Sequence, residues 1–207
     1  MTHRALGAIV LIACVAAGVH AEVPRLGFVG VVRDGVGGVE GLGGPIAMAL
    51  SPDGAHAYVA SAPDNTLTVL QRDPRTATLS FVEKKVNGVG GVTGIGGPAG
   101  PRAVDVSPDG RHVYVAGAAD GGVAVFARDA GNGTLTFVEA QRDGIGGVEG
   151  LGGAWSVAIS PDGRHLYVAG YADQAVAAFA RDADTGRLAF IEARVNGIAG
   201  LTGLDDP

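Results

Sequence analysis

Apolar and polar residues alternate in short runs along this chain, and the runs recur at a fixed interval. The clearest copy holds four runs, at 155–159, 165–170, 175–181 and 188–195. Alternation with a period of two, rich in β-branched and aromatic residues, predicts β-strands rather than helices. Gly, Pro, Asp and Ser stand between the runs and favour tight turns. The pattern therefore predicts an all-β chain with four short antiparallel strands in each unit.

Two sequence markers keep the same period, which indicates a repeat architecture. Ser-Pro-Asp-Gly occurs at 51–54, 107–110 and 160–163, at spacings of 56 and 53 residues. A glycine-rich stretch begins at four equivalent positions, which are Asp34, Asn87, Asp143 and Asn196. Four-stranded units with small residues on the first strand and apolar residues on both faces are typical of β-propeller blades, because neighbouring blades cover both faces. We expect about three blades.

The repeat divides the chain into blades at 35–87, 88–143 and 144–196, with 197–207 as the start of a fourth repeat. Residues 22–34 align with the last strand of a blade, so we interpret them as the orphan outer strand of a preceding blade. Three blades are fewer than the four to eight that usually close a ring. We therefore expect an incomplete ring: part of a longer propeller, or a unit that self-associates through exposed blade edges, for example as two copies with six blades.

Residues 1–21 have the features of an export signal rather than of a folded segment. Arg4 precedes an apolar run of 15 residues, which is short for a membrane span, and Val19-His20-Ala21 fits a cleavage site. We therefore predict a periplasmic or secreted protein that is cleaved after Ala21. The alternative is a lipoprotein anchored through Cys14, the only cysteine, which ends a lipobox-like Leu-Ile-Ala-Cys sequence.

Composition and charge narrow the classes of partner. Glycine accounts for 36 residues, and the net charge is −6 with no basic patch. Nucleic acids and anionic membrane surfaces are therefore not expected as partners, because both attract positively charged proteins. A small molecule or another protein remains, and the composition does not distinguish between them.

The glycine-rich stretches join the outer strand of one blade to the inner strand of the next, so all copies lie on one face of the propeller. Glycine and an aliphatic residue recur at every third position, which suits a structural loop over the blade tops. An alternative is Ca²⁺ binding by Asp34 with Glu40 and by Asp143 with Glu149, although a hard cation requires more oxygen ligands than these loops offer. Otherwise no cofactor is expected.

Polar and aromatic residues that break the repeat are the better candidates for ligand binding. They are Arg102, Asp105, Trp155 and Tyr171. An arginine near the propeller axis can hold a carboxylate or a phosphate, and a tryptophan can stack on a ring. The alternative is that Arg102 and Asp105 line a channel and contact water.

A histidine follows each Ser-Pro-Asp-Gly motif by two positions, as His56, His112 and His165. A catalytic histidine is normally unique, whereas one that recurs in every blade belongs to the scaffold. We therefore expect a structural role for all three. Each motif serine likewise recurs in a turn, so no catalytic triad is indicated.

The repeats resemble the blades of lactonase-type β-propellers. They read Ser-Pro-Asp-Gly-Arg-His-Val-Tyr-Val-Ala at 107–116 and Ser-Pro-Asp-Gly-Arg-His-Leu-Tyr-Val-Ala at 160–169, with a weaker copy at 51–60. The resemblance implies a propeller that is typically seven-bladed and, in some members, acts on lactones. Blades of that family often carry a histidine five residues before the serine, where this chain has Ile46, Arg102 and Trp155. The polar pocket that the resemblance implies is therefore not evident in the blades present.

Two functions are consistent with these features. The residues favour an exported propeller module that binds a partner or serves as a scaffold, within a longer propeller. The resemblance alone implies the alternative, a lactone hydrolase similar to 6-phosphogluconolactonase or a related cycloisomerase. Because a fold does not fix a function, the resemblance does not decide between them.

Overall fold

The computed structural model describes residues 27–97 and 99–197. Within them the chain is all β, with three four-stranded antiparallel sheets and no helix, and hence no helix that could cross a membrane. The predicted export signal, the Cys14 alternative and most of the last repeat lie outside the described residues. The strands are β1 (Pro45–Leu50), β2 (His56–Ser61), β3 (Thr66–Arg72), β4 (Leu79–Val86), β5 (Pro101–Val106), β6 (His112–Gly117), β7 (Gly122–Arg128), β8 (Leu135–Arg142), β9 (Ala154–Ile159), β10 (His165–Gly170), β11 (Ala175–Arg181) and β12 (Leu188–Val195).

Each sheet is one blade, and its strands pair in chain order. Blade 1 consists of β1–β4, blade 2 of β5–β8 and blade 3 of β9–β12. In blade 3 the observed second, third and fourth strands have the predicted bounds, and the first begins one residue earlier, at Ala154. The prediction of an all-β propeller-blade fold is confirmed.

The Ser-Pro-Asp-Gly motif forms the turn between the first two strands of each blade. In blade 2 the Ser107 amide donates to the carbonyl of His112 at 2.9 Å, and the Ser107 hydroxyl accepts from the His112 amide at 2.9 Å. Gly110 adopts a positive φ of 69°, which other residues rarely adopt, and donates to the carbonyl of Ser107. The motif therefore fixes the register of β5 against β6.

The hydrophobic core lies between blades rather than within one sheet. Tyr58 and Leu67 of blade 1 share a buried cluster with Val104 and Phe126 of blade 2, and an equivalent cluster joins blades 2 and 3. The inner strands β1, β5 and β9 lie side by side, so the small side chains expected on them leave room where blades converge. Each blade is therefore stabilised by its neighbour.

The three sheets form an open array in the described chain. The outer face of blade 1 leaves Ile46, Met48 and Leu50 exposed, and the far face of blade 3 leaves Tyr167 exposed. Residues 27–33 form no strand in the structure. Their assignment to a preceding blade, like the other blade boundaries, stays a prediction.

Candidate functional site

A β-bulge interrupts the first strand of every blade near its start. In β5 the pairing passes from Pro101 to Ala103, which leaves Arg102 as the extra residue, and Trp155 is skipped in the same way in β9. Ile46 occupies this position in β1. Bulges redirect a side chain away from the ladder and are frequent beside functional sites. The backbone thus presents three different side chains at one repeated position.

Three of the four predicted ligand-binding residues come together at this end of blades 2 and 3. The guanidinium carbon of Arg102 lies 4.5 Å from the centre of the Trp155 ring. The rings of Trp155 and Tyr171 have centres 5.7 Å apart and are tilted by 44°. Trp155 is 50% exposed and Tyr171 is 57% exposed. We call Arg102, Trp155 and Tyr171 the axial cluster.

The charge of Arg102 is not neutralised by any residue that the structure describes. Its side chain is half-buried, and its Nε atom is buried without a hydrogen-bond partner among those residues. Arginine presents donors in a planar fork, and a guanidinium over an indole ring is held there by a cation–π attraction. The axial cluster therefore combines a cation with two exposed aromatic surfaces.

Asp105, the fourth candidate, has a different environment. Its Oδ2 accepts a hydrogen bond from the Ile159 amide at 2.9 Å, and its Oδ1 accepts from the Val106 amide at 2.8 Å. The carboxylate therefore links β5 to β9. At the position equivalent to Asp105, the other two inner strands carry alanine. These contacts give it a part in joining blades 2 and 3, and ligand binding by Asp105 stays a prediction.

The glycine-rich loops are closed by their own first residue. Asp34 accepts from the Leu42 amide at 2.9 Å, and Asp143 accepts from the Leu151 amide at 3.1 Å. Asn87 makes the same bond to the Ile95 amide at 3.3 Å. Because an uncharged asparagine serves as well as aspartate, this position requires an acceptor and not a negative charge. The geometry favours the structural interpretation of the loops.

The calcium alternative gains no support from the described residues. Glu40 pairs with Lys84 at 2.9 Å beside an open cavity of about 340 Å³ that Asp34 also borders. Across the described ranges, no three His, Cys, Asp or Glu side chains are grouped so that they could hold a metal ion. Glu149 is exposed at the equivalent place in the third loop, where it forms no ion pair with a described residue.

At the opposite end of the blades, two of the three repeated histidines, His56 and His112, take part in contacts between blades, in keeping with the structural role expected of them. Arg128 of blade 2 reaches back to blade 1, where Nε donates to the Tyr58 hydroxyl at 2.7 Å. Its Nη2 contacts Asp53 Oδ2 at 2.7 Å and His56 Nδ1 at 2.9 Å. Since arginine only donates, His56 accepts through Nδ1. We call this contact, which Arg181 repeats with Tyr114, Asp109 and His112, the interblade lock.

The interblade lock shifts the pKa of its members. Burial by itself would raise the pKa of Asp109, but hydrogen bonds from Ser107, from the backbone at Arg111 and from Arg181 outweigh it and lower the pKa to about 2. Burial raises the pKa of Tyr114 to about 12. Burial, reinforced by the positive charge of Arg181, lowers the pKa of His112. The lock therefore holds charged arginine and aspartate beside neutral tyrosine and histidine.

Sequence reasoning missed the arginines of the interblade lock. An Arg-Asp pair ends the third strand of every blade, as Arg72-Asp73, Arg128-Asp129 and Arg181-Asp182. The arginine side chain is nearly fully buried in both complete locks, with 1% exposed. A charged residue that recurs within an apolar strand was the available signal, because such a charge needs a repeated partner.

Known proteins share this architecture. The family model described as "Lactonase, 7-bladed beta-propeller" matches residues 39–200. No curated protein sequence matches the chain. A structure from Bacteroides fragilis, named as a candidate 6-phosphogluconolactonase, is 27% identical with a TM-score of 0.60 and covers 73% of this chain and 39% of its own.

Two further structures are similar. The periplasmic gluconolactonase of Pseudomonas aeruginosa is 27% identical, with a TM-score of 0.60, over 72% of this chain and 39% of its own. A candidate 6-phosphogluconolactonase from Bacteroides uniformis is 24% identical, with a TM-score of 0.62, over 76% of this chain and 42% of its own. At that identity, the similarity shows the fold alone. The chain spans about two fifths of the length of these proteins.

Proposed function

We propose that this chain, which belongs to the lactonase family of seven-bladed β-propellers, is a binding module for a small organic anion. The observation that carries the proposal is Arg102, whose guanidinium carbon lies over the ring of the exposed Trp155 and which pairs with no described carboxylate. The ligand class that fits is a ring or chain that carries a carboxylate or a phosphate.

The chemistry of the axial cluster supports this ligand class. The planar donor fork of arginine matches the two oxygen atoms of a carboxylate or phosphate. Trp155 and Tyr171 expose half or more of their surface at the same end of the blades, so a ligand ring can stack on them. A neutral ligand of the same shape would gain only the stacking and would bind more weakly.

Lactone hydrolysis is the second candidate, and the family match with the two 27% identical structures favours it. The described part of the axial cluster offers a cation and two rings, whereas hydrolysis of an ester bond needs a group that activates water. Asp105, the nearest carboxylate along β5, has an amide hydrogen bond on each oxygen. The described geometry therefore supports binding more directly than turnover.

Trp155 is the only tryptophan of the chain, so its fluorescence reports directly on the axial cluster. Titration with gluconate is expected to give a saturable change, while glucose, which lacks the carboxylate, gives a much weaker one. Arg102→Ala should raise the Kd for gluconate about tenfold or more. The Kd of Arg102→Lys should lie between that of the unmodified chain and that of Arg102→Ala.

Arg164→Ala is a suitable control, because this arginine is exposed near the other end of blade 3. It should leave the titration unchanged. Equal responses to gluconate and glucose, or an unchanged Kd in Arg102→Ala, would contradict the proposal. Hydrolysis of glucono-δ-lactone above the spontaneous rate, abolished in Arg102→Ala, would instead establish the second candidate.

Export is part of the same proposal, with residues 1–21 as the signal. Its basis is the sequence pattern of Arg4, the apolar run and the site at Ala21. N-terminal sequencing of the protein recovered from a bacterial periplasm should begin at Glu22. A lipid-modified N-terminus at Cys14 would support the lipoprotein alternative, and an intact Met1 in the cytoplasm would contradict both.

A further inference from the structure

Asp105 lies on β5, three residues after Arg102, and its carboxylate binds the strand that carries Trp155. We propose that Asp105 is a positioning residue for the axial cluster. Its bond to β9 holds Trp155 against Arg102 and thereby strengthens the binding of an organic anion that Asp105 itself does not touch. The role in binding rests on the function proposed above, whereas the positioning of Trp155 can be tested without a ligand.

The alternation of β5 places Asp105 on the side of blade 3. Val104 and Val106 are buried in the cluster that blade 2 shares with blade 1, whereas Ala103 packs on the cluster that blade 2 shares with blade 3. Because successive side chains of a strand point to opposite faces, Asp105 shares the face of Ala103. Its hydrogen bond from the Ile159 amide, at 2.9 Å, agrees with this direction.

The bulge brings Arg102 to the same side. By alternation alone, Arg102 would share the face of Val104, toward blade 1. As the extra residue of the bulge it leaves that alternation, and its guanidinium carbon lies 4.5 Å from the centre of the Trp155 ring on β9. β5 therefore contacts β9 through two polar side chains, Arg102 near the start of both strands and Asp105 near their ends.

The Asp105 bond constrains the two strands in a way that apolar packing does not. Apolar contacts are non-directional, whereas a hydrogen bond has a preferred distance and angle, and one to a carboxylate is about twice as strong as a neutral one. The carboxylate is itself held in place, because its other oxygen accepts from the Val106 amide at 2.8 Å. The bond therefore fixes how β9, and with it Trp155, lies relative to β5.

This link stands at the junction that forms the axial cluster. The residues equivalent to Asp105 are Ala49 and Ala158, whose side chains cannot accept a hydrogen bond. The bulge residue of blade 1 is the aliphatic Ile46, so the junction of blades 1 and 2 has no such cation and ring to hold together. Of the two junctions in the described chain, the aspartate lies at the one where Arg102 meets an aromatic ring.

The same contacts leave the charge of Arg102 free for a ligand. Asp105 is the nearest carboxylate along the strand, yet both of its oxygens are engaged by amides at the other end of β5 and β9. A carboxylate that paired with Arg102 would compete with an anionic ligand for the same donors. Asp105 therefore positions the ring without neutralising the cation.

Two substitutions at Asp105 separate positioning from charge, with the Kd for gluconate measured by Trp155 fluorescence. Asp105→Ala removes both the hydrogen bond and the charge, and should raise the Kd about threefold or more. Asp105→Asn removes the charge but keeps a carbonyl that can accept from the Ile159 amide, so its Kd should stay within about twofold of the unmodified chain. If the charge of Asp105 acted directly on the anion, both variants would instead bind more tightly, and this result would overturn the inference.

The emission of Trp155 without ligand tests the positioning itself. Arg102→Ala should shift the emission of the unmodified chain, because it removes a cation from the indole ring. In the Asp105→Ala background the same substitution should produce a shift at most about half as large, since the ring is no longer held against the cation. The Asp105→Asn background should retain the shift. A full shift in the Asp105→Ala background would contradict the positioning role.

Tyr114→Phe is the matched control, because it removes a hydrogen-bonding hydroxyl between the same two blades, in the interblade lock. It should leave both the Kd and the Arg102-dependent shift unchanged, and urea denaturation should show that every variant is folded. If it weakened binding as much as Asp105→Ala does, a general loosening of blades 2 and 3 would explain the effect and Asp105 would have no positioning role.

Absence of ligand binding and absence of positioning give different results. An unmodified chain that does not bind gluconate would overturn the proposed function, while the ligand-free emission would still decide whether Asp105 positions Trp155. Unchanged gluconate binding in Asp105→Ala would overturn the inference and leave the proposed function intact. Equal weakening in Asp105→Ala and Asp105→Asn would also overturn it, because the carboxylate itself would then be needed at the ligand.

Discussion

The two ends of each blade differ in what repeats. At the Ser-Pro-Asp-Gly end, Arg128 and Arg181 make the same buried contacts in successive blades. At the other end the bulge repeats in the backbone, but its side chain changes from Ile46 to Arg102 to Trp155. A repeated side chain with repeated partners holds blades together. A side chain that differs from blade to blade on the same backbone is available for another function, such as binding a ligand.

Electrostatics supports the same division. The lock arginines are buried, and each meets an aspartate, a tyrosine hydroxyl, a histidine and a backbone carbonyl. Arg102 stacks on a ring and pairs with no described carboxylate. A buried charge requires partners in the folded chain, whereas an accessible one can accept them from a ligand.

Arg128→Ala is expected to have the largest effect on stability. It leaves Tyr58 and His56 without their donor inside the interface between blades 1 and 2, so we expect a loss of about 3 kcal/mol or more in the free energy of unfolding. Urea denaturation measures this. Arg102→Ala, at the other end, should cost about 1 kcal/mol or less. Equal losses in the two variants would contradict the view that the Ser-Pro-Asp-Gly end stabilises the blades more than the bulge end does.

Tyr114→Phe should have a smaller effect. It removes one hydroxyl that accepts from Arg181 and donates to the Gly186 carbonyl at 2.9 Å. Leaving these buried groups unpaired should cost about 1–2 kcal/mol in urea denaturation. Tyr58→Phe should cost the same within about 0.5 kcal/mol if the two locks are equivalent. No loss in either variant would mean that the hydroxyls are structurally dispensable.

Acid should weaken the interblade locks gradually. Burial and the neighbouring arginine lower the pKa of His56 and of His112 from the ordinary value of 6.5. The unfolded chain therefore binds more protons below that pH, so the stability present above pH 6.5 is lost as the pH falls, by at most about 1.4 kcal/mol per pH unit for each histidine. A further loss is expected below 3.8, as Asp109 protonates on the way to its pKa of about 2.

Thermal unfolding at a series of pH values measures this loss. The double variant His56→Gln/His112→Gln should flatten the slope just below pH 6.5, because glutamine can accept from arginine without titrating. An unchanged slope in that variant would show that other groups cause it.

Local patterns were enough to predict the strands. The second, third and fourth strands of blade 3 have the predicted bounds because alternation and turn residues act over a few neighbouring positions. The sequence does not predict the bulge at Trp155, and the first strand begins one residue before the predicted start, at Ala154. A bulge depends on how two strands pair, which the sequence of one strand does not contain.

The candidate site was predicted only as a set of residues. Arg102 and Trp155 are candidates because they break the repeat, but their contact joins residues 53 positions apart on neighbouring blades. Asp105 also breaks the repeat, and it instead links two inner strands. Which unrepeated residues meet depends on how the blades stack, and blade stacking is a long-range property.

By itself, the sequence determined the repeat, the strands and the turns of this protein, because these follow from short-range alternation and from backbone preferences of proline, aspartate and glycine. Only the tertiary structure decided which charges are paired. Arg102 and Arg128 are alike as residues, and their roles differ because one lies at a bulge and the other is covered by the blade before it.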